Sequence, residues 1–171
     1  WNWKANGTGS ANTAGSINTT YTSANTTAGF SIIQYTGNAT AGATVGHGLG
    51  SVPKMVIVKK TNGVKDWNVY HVGMGATKGM YLNLTNAEQT HGNWNNTTPT
   101  NTVFSIGSDD QVNGSGQTYI AYCFADVQGY SKFHPTQVME MLMVHLFIQD
   151  LLLHSLYTNI LLMVIHGLWK M

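Results

Sequence analysis

Polar and apolar positions are spread unevenly along the 171 residues. Residues 6–28 are almost all Asn, Thr, Ser, Gly and Ala, with little to bury, so 1–29 is expected to be an extended surface loop or linker. From Phe30 onwards, short β-branched and aromatic runs alternate with turn residues. FSIIQYT (30–36) reads as a strand, GNATAG (37–42) as a turn, and ATVGHGLGSVP (43–53), with glycines around His47, as a tight loop leading to the next strand. KMVIVKK (54–60) carries a continuous apolar stretch and is predicted to be a central strand. TNGVKD (61–66) is expected to turn through Asn62-Gly63 with the positive φ values of a type I′ hairpin, so that the alternating WNVYHV (67–72) pairs back. GMYLNLT (79–85) has period two, with Met80, Leu82 and Leu84 on one face and Tyr81, Asn83 and Thr85 on the other. TVFSIGS (102–108) and TYIAYCFADV (118–127) follow, separated by the turn-rich DDQVNGSGQ. Six or seven strands at this spacing, with no capped helix, specify an all-β domain over 30–133: an antiparallel β-sandwich, jelly-roll-like or of another sandwich topology.

The pattern breaks at His134. All but one of the nineteen glycines precede it, whereas 134–171 is a nearly unbroken run of Leu, Met, Ile and Val, expected to be helical or disordered. A membrane helix fits poorly, because Glu140, His145, Gln149, Asp150 and His154 interrupt the run and ionisable groups in hydrocarbon are costly. An amphipathic helix fits little better, since apolar residues circle the wheel. A shifted reading frame accounts for the switch. Taking the last base of each codon with the first two of the next, PTQVMEMLMVHLFIQDL can read YTGNGNADGAFVYTGF. Met-Val then yields only Gly, and Met-Glu-Met yields Gly followed by an Asn-type codon. GYSKF (129–133) already matches GFSII (29–33), and YTGN recurs at 35–38. Residues 134–171 are therefore read as an out-of-frame translation of a second repeat, the in-frame protein being a tandem array. The alternative is a genuine apolar helix pair for membrane or partner contact.

The formal net charge is +1 and every basic residue is Lys. The chain thus lacks the dense Lys/Arg face that tracks nucleic-acid phosphates and the guanidinium fork that grips carboxylates. The chain opens on Trp1 rather than Met, as a fragment or processed product would, and shows no leader-like basic-then-apolar start. Cys123 is the single cysteine, which rules out an internal disulfide or thiolate cluster, and its apolar neighbours predict a buried, inert thiol.

No catalytic constellation is visible, and no enzyme activity, cofactor or metal is expected. His47, His71 and His91 lack a common metal spacing, and His47, between glycines, is expected to support a turn. Asp109-Asp110 offers oxygens of the kind calcium uses, but without EF-hand spacing, and an Asx-type turn explains it equally well. Flat rings with nearby amides are what sugar-binding surfaces use, which makes Trp67, Tyr70 and Trp94 candidate glycan contacts, although core packing competes for each of them.

GFSIIQYTGN, HGLG-x-x-PK (47–54) and YIAYCFA…GYSKF (119–133) resemble a repeat domain of tail-fibre-like and other structural proteins of bacteriophages, especially marine ones. The resemblance covers residues 1–133. It implies a β-sandwich module of a virion appendage, homo-oligomeric or assembled with other virion proteins and contacting host-surface glycans; from the charge and the interrupted apolar run, neither nucleic acid nor membrane is expected as a partner. The rival expectations are a carbohydrate-active enzyme of similar architecture and a membrane-associated protein anchored by the tail.

Overall fold

The computed structural model describes residues 4–133. The tail 134–171, and with it the frameshift reading, lies outside the described residues. Nine strands form: β1 Tyr21–Asn25, β2 Phe30–Thr36, β3 Ala43–Gly46, β4 Pro53–Lys60, β5 Asn68–His71, β6 Lys78–Tyr81, β7 Gln89–Thr90, β8 Val103–Ile106 and β9 Thr118–Ala125. They make an antiparallel seven-stranded sheet in the order β1-β2-β9-β4-β5-β6-β7 and a two-stranded sheet β3-β8. The domain is all-β, as its turn spacing predicts, and no helix occurs among the described residues.

Period-two alternation explains how the sheets bury their side chains. On β9, Tyr119, Ala121, Cys123 and Ala125 are buried, while the side chains between them are only partly covered. In register with them, Ser31-Cys123-Val56-Tyr70 and Ile33-Ala121-Val58-Asn68 run across β2, β9, β4 and β5 as inner rows. Val45 of β3 and Phe104 and Ile106 of β8 join this face in a single core, with Trp94, Leu49 and Val112 contributed by loops. Burying each large apolar side chain is worth about 1.5–3 kcal/mol, so the core holds the two layers together.

Several local expectations are corrected. Part of 1–29 belongs to the sandwich: β1 pairs with β2 along its whole length, and Ile17, buried, bridges to Val45 with its amide donating to Thr44 O at 3.0 Å. Gly15 permits that approach, because a Cβ there would collide with the Thr44 carbonyl. Composition marked this segment as loop because it counts apolar residues, whereas backbone pairing to β2 and β3 needs few. The connection from β4 to β5 is not a type I′ hairpin. Neither Asn62 nor Gly63 has positive φ, and the ladder ends at Val58↔Asn68, leaving a longer loop. The 79–85 strand stops at Tyr81: Leu82 is 63% exposed and Leu84 lies in the turn beyond. Conversely, ATVG, read as part of a loop, is β3, and it pairs with β8 through Val45↔Phe104.

Candidate functional site

The three candidate aromatic residues part company. Tyr70 on β5 and Trp94 in the loop after β7 are each only 2% exposed and meet edge to face at 5.9 Å. Their rings are core, so the expectation of a glycan contact at these two positions is corrected: both ring faces lie inside the sandwich. Trp67, just before β5, is partly exposed and lies near-parallel to Tyr122 at 6.4 Å. Its amide donates to Asn83 Oδ1 at 2.9 Å, and Asn83 Nδ2 donates to Asp66 Oδ1 at 2.9 Å. Trp67 therefore keeps the combination of a partly accessible ring with an amide and a carboxylate close by.

The described carboxylates carry structural roles. Both Asp110 oxygens accept from Lys60 Nζ at 2.9 Å, and Lys65 lies 3.4 Å away. The Lys60 hydrogen bond is the main cause that holds the Asp110 carboxyl below its ordinary range. Asp109 Oδ1 accepts the Gln111 amide at 2.7 Å, the Asx-type turn that rivalled calcium. Glu88 pairs with Lys78, and Asp126 accepts the Phe133 amide. Among the described residues, no three His, Cys, Asp or Glu side chains gather where they could hold a metal, and no helix is long and apolar enough to cross a membrane.

These loops are held by a buried polar network. Tyr35 Oη donates to Val112 O at 2.6 Å. Tyr119 Oη donates to Asp110 O and accepts the Gly114 amide. Burial pushes the Tyr119 hydroxyl up to about 12, so it stays a donor at any physiological pH. Asn113, fully buried, donates to Thr40 O and Gly107 O and accepts from the Asn38 amide. Cys123 is buried, and burial raises its thiol pKa far above the usual value, in line with an inert role.

The three described histidines share one device that spacing rules for metals did not reveal. His47 Nδ1 accepts the Leu49 amide at 3.2 Å, His71 Nδ1 the Gly73 amide at 3.1 Å, and His91 Nδ1 the Asn93 amide at 3.4 Å. Each is a bond to the residue two positions on. A glycine one or two residues after each histidine (HGL, HVG, HGN) was the available signal, although only Gly48, at φ 71°, uses a conformation that favours glycine. Because Nδ1 accepts, the proton sits on Nε2, which in His47 faces Thr100 O at 3.2 Å. Burial is the leading cause that lowers the pKa of all three rings. The His91 ring edge lies directly over Gly79, where a Cβ would collide with it and would stand 3.1 Å from Trp94 Nε1.

An open groove of about 820 Å³ runs along the N-terminal segment. Asn6, Thr8, Ser10, Asn12, Thr13 and Thr22 line it, together with glycines and alanines, and none of its lining side chains is ionisable. Its walls are fixed: Ser10 and Thr22 exchange two backbone hydrogen bonds, and Asn12 Oδ1 accepts the Ala14 amide at 2.9 Å. The groove thus presents hydroxyls, amides and backbone groups in an open, uncharged trough.

The family model for a domain of unknown function, DUF7483, matches residues 1–137. The chain belongs to the DUF7483 family. No curated protein and no solved structure matches it. For this DUF7483 domain, the match takes in every described element, including the groove-forming segment before β2.

Proposed function

We propose that this DUF7483 chain is a structural and adhesive module of a phage virion appendage, a tail fibre, that contacts host-surface glycans without turnover. The observation that carries the glycan part is the uncharged groove of about 820 Å³ walled by Asn, Ser and Thr. Its size falls in the range of small-molecule sites. Neutral hydroxyl and amide walls match a neutral polyhydroxylated ligand, whereas a glycosidase needs two free carboxylates converging on the bond to be cleaved. The described carboxylates are committed to Lys60, Lys65, Lys78, Asn83 and backbone amides. Trp67 is a second contact, offering part of a ring face for the apolar side of a sugar.

The tail-fibre assignment rests on the motif resemblance at 29–38, 47–54 and 119–133, together with a low-charge, turn-rich β-sandwich. Exposed Leu82 and Leu84, past β6, provide apolar surface for assembly with copies of the chain or with other virion proteins. A glycan array probed with the full chain tests the adhesive reading. Binding to neutral glycans that falls at least tenfold in Asn12→Asp, which places a charge in the groove, supports it. Absence of binding across the array leaves a scaffold without adhesion and refutes the glycan contact.

A further inference from the structure

Strand β8 is held at both ends by histidine loops. At its start, the His47 amide donates to Thr102 O at 3.1 Å, and the His47 ring bonds Thr100 O through Nε2 at 3.2 Å. At its end, the Gly107 amide donates to Asn93 O at 2.8 Å, and Asn93 is the residue whose own amide is fixed by His91 Nδ1. We propose that His47 and His91 form an acid-sensitive latch on the β3-β8 layer, each holding its loop only while its ring is neutral.

The chemistry follows from the bonding. Taking up a proton at Nδ1 turns the acceptor into a donor facing another donor, the amide of Leu49 or Asn93, so the bond is lost and the ring must turn away. His47 has nowhere to turn. It is fully buried, and no charged side chain among the described residues acts on it. His91 lies against Gly79 and near Trp94 Nε1, with the Tyr81 ring of β6 at 6.0 Å. Burial lowers the His91 pKa and outweighs the His91 carbonyl and Asp109, after β8, which both favour the charged form. The Lys78–Glu88 pair beside β6 and β7 is already neutralised internally. His71 makes the same bond, but the backbone bonds of its loop run to Lys54 O and His71 O rather than to β8, so it stands outside the latch. Burial of a neutral imidazole means that the unfolded chain binds protons more readily. Stability is therefore full above the ordinary histidine range and falls as pH drops through about 6.5.

The test uses the full 171-residue chain. A histidine that stays neutral when folded raises the unfolding equilibrium constant by at most about 25-fold between pH 7 and pH 5, which sets the upper limit for each of the two rings. Denaturant unfolding at the two pH values, followed by Trp fluorescence, reads this directly. The variant His47→Asn/His91→Asn removes both proton sites but keeps an acceptor for the amide two residues on, as Asn12 and Asn38 already do for Ala14 and Thr40. It is expected to lose the part of the pH dependence that His47 and His91 supply, while contributions from the other histidines persist in both proteins. If the variant does not fold, the wild-type chain still decides: its His47 and His91 ring NMR signals should remain mainly those of the neutral Nε2–H form at about pH 6.5, where an ordinary imidazole is half protonated. Titration of both rings near pH 6.5, or an unchanged pH dependence in the variant, overturns the proposal.

Discussion

Asn113→Ala removes a dense buried polar node of the fold. The side chain is fully buried and makes three hydrogen bonds: to Gly107 O at 2.8 Å, to Thr40 O at 3.0 Å and from the Asn38 amide at 2.8 Å. The Gly107 bond is wholly buried, so losing it orphans a carbonyl at a cost of about 1–3 kcal/mol. The other two are partly buried and cost about 0.5–1.5 kcal/mol each, since water can partly replace the lost partner. The sum centres on about 4 kcal/mol, a large share of the 5–15 kcal/mol that stabilises a typical domain. With an m-value of about 2 kcal/mol/M, the urea midpoint should fall by about 2 M with the slope unchanged. Equilibrium urea unfolding, followed by Trp fluorescence, measures it. A midpoint shift under about 0.3 M would mean that the 37–42 and 107–117 loops do not meet through Asn113 as described, and the reasoning would fail.

Trp94→Ala should cost about 3–5 kcal/mol because it empties the core beside Tyr70, whereas Trp67→Ala should cost far less and reduce glycan-array signal instead; the two variants' urea midpoints separate core ring from surface ring. The Lys60 bond lowers the Asp110 pKa, so ionised Asp110 contributes stability that is present above about pH 4 and lost as pH falls through its folded value. Asp110→Asn should abolish this acid leg in a pH series of unfolding midpoints while leaving the histidine range untouched. Cys123 should resist a thiol-specific disulfide reagent at pH 8 until denaturant is added, because burial disfavours the thiolate; prompt stoichiometric labelling of the native chain would contradict its place in the core. Sequencing the coding nucleic acid across residues 130–140 should reveal a one-base shift that restores YTGN after GYSKF; an intact frame in the source refutes the repeat reading.

How far the fold could be read from sequence depended on the kind of signal each segment carries. FSIIQYT, KMVIVKK and TYIAYCFA are long runs rich in β-branched, apolar and aromatic residues, and all three are strands, with β4 inside the sheet as its continuous apolar run implies. ATVG is too short to stand out, and its glycine-rich flank resembles a loop. It is a strand because β8 offers partners to it. GMYLNLT errs in the other direction: its alternation is intact, but beyond Tyr81 no neighbouring strand completes the ladder, so Leu82 and Leu84 stay on the surface. A strand needs a partner as well as a pattern, and partners are set by topology.

The candidate site divides along the same line. Residue type alone determined that Cys123 would be buried, that His47 would brace its turn, and that Asp109 could close an Asx turn, because each effect involves atoms only a few positions apart or the apolar character of immediate neighbours. Which aromatic ring faces outward is a different matter. Trp67, Tyr70 and Trp94 have equal claims as residue types; only the packing of the two layers placed Tyr70 and Trp94 between them and left Trp67 at the edge. The uncharged groove was equally hidden from sequence, because its walls come from a segment that looks like linker until Ser10, Ile17 and β1 dock onto the sandwich. Local chemistry is written into neighbouring residues, whereas exposure and concavity arise only when distant segments share one core.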